Sequence, residues 1–148
     1  MRNLIMVLTL LFLLMALSGH ADMVVIVDNK TNVTHISNSS VGDIFLDRLH
    51  TFDNGISVVP VNNNALMKYF YLRVADRNQN EMQAYWSKLL FTGRGEPPLT
   101  LDDDQSVIQL IEHNPNMVGY VSAASVKDNP NVKVIEVIPD DVYAMGNP

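Results

Sequence analysis

The chain has 148 residues and 16.5 kDa, with 47% hydrophobic and 18% charged residues and 7 each of Gly and Pro. That composition fits one globular domain and excludes disordered and collagen-like chains. Sixteen Asp and Glu against ten Lys and Arg give a net charge of −6, a sign that disfavours nucleic acid and anionic membrane surfaces as partners. With no Cys, there is no disulfide and no site for lipid attachment, so stability comes from packing.

Met1-Arg2-Asn3 is followed by an apolar run from Leu4 to Leu17 and by Ser18-Gly19-His20-Ala21. A short basic start, an apolar stretch of this length and a small-x-small site form the pattern of a secretory signal peptide. The expected cleavage follows Ala21, leaving a domain of residues 22–148 in the periplasm or secreted. The run is shorter than the roughly 20 apolar residues of a spanning helix, which speaks against an uncleaved anchor and against stable membrane insertion after cleavage. Loss of Arg2 leaves nine basic against sixteen acidic residues, a charge of −7. The sequons at Asn29, Asn32 and Asn38 read as a polar loop.

Met23–Val27 is a β-branched apolar run that predicts a strand buried on both faces. Ser40-Val-Gly-Asp43 opens a helix carrying Val41, Ile44, Phe45 and Leu49, ending near His50. The Asn54-Gly55 turn leads into a second strand, Ile56–Pro60. Asn62, Asn63 and Asn64 then stand as caps before a stripe of Leu66, Phe70 and Val74. A third helix from Asn80 to Phe91, capped by Asn78 or Asn80, puts Met82, Tyr85, Trp86, Leu89 and Leu90 on one face, with Trp86 and Leu89 expected in the core. Thr92–Pro98 breaks it. A fourth helix opens at Asp102 and stops at Asn114-Pro115. Met117–Val121 and Val132–Val137 are strands, joined through one helical turn at Ser122–Val126, and a polar tail follows. The order predicts an α/β fold with some parallel pairing.

Taken in order, Asp43-Ile-Phe-Leu46, Gly55-Ile-Ser-Val-Val-Pro60, Phe70-Tyr71, Ala84-Tyr-Trp86, Phe91-Thr-Gly-Arg-Gly-Glu-Pro-Pro98 and Asn114-Pro-Asn-Met-Val-Gly-Tyr-Val121 resemble the phosphate ABC transporter substrate-binding proteins. More closely, they resemble the short single-lobe members of that type 2 periplasmic binding protein superfamily. The resemblance implies a single periplasmic-binding-protein-like lobe, a small mixed sheet flanked by helices, with an oxyanion such as phosphate as ligand. Where larger members place an Arg and a Gly-Ser-Gly-Thr type loop, this chain has Val61-Asn-Asn-Asn-Ala65. Met67 stands where short members have a basic residue, and Asp47 where a Gly is common.

The candidate ligand residues are therefore Asn62, Asn63, Asn64 and Ala65, with Arg94 as the one basic residue placed like a contact. A helix N-terminus can hold an anion through its free N–H groups, and Asn side chains can equally cap those groups; the sequence leaves both readings open. His20, His35, His50 and His113 lack metal-ligand spacing. Asp102-Asp-Asp104 reads as a helix start, and no Gly-x-Ser-x-Gly elbow accompanies the Ser, His and Asp residues. No metal, cofactor or enzymatic activity is expected. Two functions follow: a solute-binding-like protein taking a small oxyanion weakly in ABC-type phosphate uptake, or a ligand-free module acting as an interaction or accessory factor in the periplasm. One lobe leaves an ion half exposed, so a homodimer or an envelope protein partner could supply the missing wall.

Overall fold

The computed structural model describes residues 22–140; the expected signal peptide lies outside them. Five strands form one mixed sheet in the order β3-β2-β4-β1-β5. Strand β1 (Met23–Asp28) lies between β4 (Met117–Ser122) and β5 (Val132–Ile138) and pairs antiparallel with each. Strand β2 (Val59–Asn63) runs parallel to both β4 and β3 (Leu99–Leu101). Every residue of β1 is buried, because the sheet is covered on both faces. Met23, Val25 and Val27 face a core shared with helices α1 (Asn38–Phe45), α2 (Met67–Ala75) and α3 (Gln79–Thr92), while Val24 and Ile26 face one shared with α4 (Asp104–Ile111). This alternation is the period-2 geometry of a strand.

Close backbone approaches fix these layers. A Cβ on Gly42 of α1 would run into the Val74 carbonyl of α2, and one on Gly119 of β4 would lie 2.7 Å from Val107 Cγ1 of α4. Helix α3 opens on a capping box in which Asn78 Oδ1 accepts from Glu81 N at 3.0 Å and Asn78 N donates to Glu81 Oε2 at 2.8 Å. Asp103 caps α4 by accepting from Ser106 N at 2.9 Å.

Four expectations need correction. The second strand begins three residues late, since Thr51 pairs with Ser57 around the Asn54-Gly55 turn and Phe52 N donates to the Ile56 carbonyl at 2.8 Å. Residues 56–58 are spent there, and Asn62 and Asn63 become strand residues instead of caps. Pro60 is tolerated inside β2 because β3 pairs only from Val61 onward. Helix α1 ends at Phe45, not near His50, because Asp47 turns left-handed with φ 59°. Of the third helix's expected inward face only Met82 is buried; Trp86 and Leu89 are half-buried and Leu90 is exposed. Lastly, β3 was not anticipated; it has three residues, too few for a periodicity signal.

Candidate functional site

Strands β2, β3 and β4 point the same way, so their C-terminal ends gather at one edge of the domain. In open α/β sheets that edge is where ligands bind. Four of the five sequence-derived candidates, Asn62, Asn63, Asn64 and Ala65, sit there, at the end of β2 and the turn into α2.

Asn62 and Asn63 are buried at 2% and 0% exposure and serve the interior. Tyr71 OH and Tyr120 OH converge on Asn62 Oδ1 at 3.0 and 3.2 Å. Tyr71 OH also stands 3.1 Å from the Phe45 carbonyl, and Tyr120 OH 3.5 Å from that of Asn63. Burial pushes both phenols well above the ordinary tyrosine range, so both remain protonated donors at neutral pH. Asn63 Nδ2 donates to Asp104 Oδ1 at 2.6 Å and to the Tyr120 carbonyl at 3.2 Å. Asp104 Oδ2 in turn accepts from Ser122 N at 3.1 Å and Ser125 Oγ at 2.5 Å, which ties β2, β4 and α4 together. The sequence reading of Asp102–Asp104 as a helix start holds for Asp103 and misses this tie.

The backbone of the turn is largely committed as well. Asn64 N donates to the Leu101 carbonyl at 2.8 Å, Ala65 N to Asn63 Oδ1 at 3.1 Å and Leu66 N to the Asn63 carbonyl at 3.1 Å. Leu66, the residue before α2, makes no side-chain cap. The first turn of α2, at Met67 and Lys68, therefore has no side-chain cap for its N–H groups.

Asn64 and Ala65 form one rim of a cleft of about 580 Å³ between α2 and α3, whose other walls include Lys68, Tyr69, Arg77 and Trp86. The volume lies in the range of small-molecule sites. Lys68 and Arg77 bring the cations that the sequence reading found missing at Met67. Lys68 follows Met67 directly, and Arg77 lies just past Asp76, whose left-handed φ of 51° ends α2. Arg94 is not part of this cleft; it lines an adjoining groove with Arg48 and Lys88 that shares Arg77 with the cleft. Among the described residues no cluster of three or more His, Cys, Asp or Glu could hold a metal, and no helix is long and apolar enough to cross a membrane.

No protein family and no curated protein matches the sequence. Solved structures match its fold. The chain is similar to a structure described as a phosphate ABC transporter substrate-binding protein with bound phosphate from Clostridium perfringens, with TM-score 0.61, 14% identity and coverage of 80% of this chain and 45% of the other. It is similar to an ABC-type phosphate transport receptor from Vibrio cholerae at TM-score 0.54 and 17% identity, covering 80% of this chain and 46% of that one. PstS from Borrelia burgdorferi gives TM-score 0.53 and 10% identity, with 80% and 47% covered. The chain thus shares its fold with these phosphate-transport binding proteins, and it spans less than half the length of each of these structures.

Proposed function

We propose that this protein is an exported, non-enzymatic solute-binding-like lobe that takes a small oxyanion such as phosphate, weakly, in the cleft between α2 and α3, in connection with ABC-type phosphate uptake. The observation that carries the reading is the cleft itself: near the C-terminal ends of the parallel strands it brings the first turn of α2, which Leu66 leaves without a side-chain cap, together with Lys68 and Arg77. Charge-assisted hydrogen bonds from these groups hold a tetrahedral anion, with Asn64 at the rim. Asn62 and Asn63 act behind the site by fixing the turn. Export rests on the signal-peptide pattern, and cleavage after Ala21 predicts a mature protein starting at Asp22, which intact mass measures.

Trp86, the single Trp of the chain, lines the cleft and reports on it. Phosphate titrated at low ionic strength should change its fluorescence with a midpoint in the micromolar to millimolar range, and Lys68→Ala with Arg77→Ala should weaken binding about 10–100-fold, as expected for losing charge-assisted bonds. An unchanged signal up to tens of millimolar phosphate, or equal binding by the double variant, removes the ligand. The second reading, a ligand-free interaction or accessory module, then takes its place; it is favoured by the inward commitment of Asn62 and Asn63 and by the exposure of Leu90 and Phe91.

A further inference from the structure

Of the ten Lys and Arg residues in this acidic chain, four, Arg48, Arg77, Lys88 and Arg94, line a single open groove of about 540 Å³ along α3. The groove is built. Tyr85 OH donates to the Leu46 carbonyl at 2.7 Å, which pins the α3 ring to the end of α1. The Arg48 and Arg77 guanidiniums lie over that ring at 5.7 and 5.1 Å from its centroid. Arg94 is presented by the loop after Gly93, whose φ of 64° ends α3 and whose neighbour Gly95 rests on the Asp47 carboxylate.

One carboxylate, Glu81, also lines the groove against its four cations, and it is tied to the start of α3. Glu81 accepts from Asn78 N at 2.8 Å in the capping box, and Asp47 stands 3.4 Å from both Glu96 N and His50 Nδ1. Arg48 has Asp43 at 3.7 Å, both half exposed, a pair worth little in water. Arg77, Lys88 and Arg94 have no carboxylate partner within ion-pair distance among the described residues. Beside the cations stands Phe91, three residues after Lys88 and so its neighbour on the helix surface. It is 94% exposed, and Leu90 beside it is exposed too.

We propose that this groove is a docking surface for an acidic segment of a partner protein, the partner's carboxylates meeting Arg48, Arg77, Lys88 and Arg94 while an apolar side chain packs on Phe91. Charge complementarity selects the occupant: the groove concentrates positive charge on a molecule that is negative elsewhere, and exposed Arg with an aromatic residue is the composition of interface hot spots. A lone small anion would leave Phe91 unused; the groove shares Arg77 with the cleft that Asn64 rims, but Arg48, Lys88 and Arg94 lie outside that cleft, so the docking surface stands whether or not phosphate binds.

The test is an array of labelled 12-residue peptides bearing at least four Asp or Glu, with or without a central Leu or aromatic residue, beside neutral peptides, read by fluorescence anisotropy at low and high salt. Acidic peptides with an apolar centre should bind, more weakly as salt rises. Lys88→Glu with Arg94→Glu should lower affinity at least tenfold and Phe91→Ser several-fold, while Lys127→Glu with Lys133→Glu, which changes net charge equally, should have little effect. No acidic binder, equal losses in the two charge-reversed variants, or displacement of the peptide from the Arg77→Ala protein by a few millimolar phosphate would overturn the proposal. So would sedimentation showing a dimer of the chain that Lys88→Glu abolishes, since the occupant would then be a second copy.

Discussion

Replacing Asn62 by Ala removes the acceptor on which two buried phenols converge. Tyr71 retains the Phe45 carbonyl at 3.1 Å, but Tyr120 is left with the Asn63 carbonyl at 3.5 Å, too long for a good O–H···O bond. Tyr120 cannot turn to water: its ring stacks on Phe70 with centroids 3.6 Å apart and has no exposed surface. A buried donor left unsatisfied costs about 1–3 kcal/mol, and the void left by the amide adds about 1 kcal/mol, so Asn62→Ala should lose about 2–4 kcal/mol of a typical 5–15. Tyr120→Phe alone should lose about 1 kcal/mol, since Asn62 keeps its bond to Tyr71. In the double variant the stranded hydroxyl is gone, so its loss should fall short of the sum by 1 kcal/mol or more. Urea unfolding followed by circular dichroism measures all three. Additive losses, or less than 1 kcal/mol for Asn62→Ala, would refute the account and return Asn62 to the list of ligand contacts.

Gly119→Ala places a methyl 2.7 Å from Val107 Cγ1 and should destabilise by about 1–3 kcal/mol, with Val107→Ala restoring part of the loss in thermal unfolding. Asp47→Gly relieves a left-handed backbone, worth about 1 kcal/mol, but releases the loop at Gly95 and Glu96; stability should change little while trypsin cleavage after Arg94 speeds up. In alkali, Tyr71 and Tyr120 should contribute stability that is complete below the ordinary tyrosine pKa of about 10 and is lost as pH rises toward their raised folded values, so Tyr120→Phe should flatten the decline in urea midpoint above pH 10. In acid the sign reverses for Asp103, whose carboxyl is held below its usual value by the Ser106 backbone N–H and then its hydroxyl: its contribution is present above about pH 4 and fades as pH falls through the lowered value, and Asp103→Asn should remove that dependence.

Much of the fold was legible because its signals are local. The β-branched run of β1 and an Asn cap ahead of α3, expected at Asn78 or Asn80, each sit within a few residues, while α4 ends at Ile111, short of the expected stop at Asn114-Pro115; the ordered strings from Asp43 to Val121 carried the resemblance to substrate-binding proteins, whose fold the solved structures share. What failed depended on distance. Asn62 looks like a cap because Asn is a good cap; only the placement of Tyr71 and Tyr120, 9 and 58 residues away, makes it a buried acceptor. Helix α3 carries enough apolar residues to predict a buried face, yet with only Met82 buried it lies over the edge of the core, where Trp86 becomes a cleft wall. Arg94 was singled out from its loop, but that it stands beside Arg48, Arg77 and Lys88 follows from a helix crossing that no spacing reveals.

The placing of β1 governs how the chain must fold. It is the first strand made, and both its partners, β4 and β5, are the last: Met23 pairs with Ser122 and with Ile138. Closing such long loops is entropically unfavourable and slow. Strand β1, set between β4 and β5, has neither partner until the residues from Met117 onward exist, although β2 can already pair with β3 and α1 pack on α2. Until β4 and β5 exist, the apolar run Met23–Val27 is an unpaired strand that the exposed edge of another chain can capture.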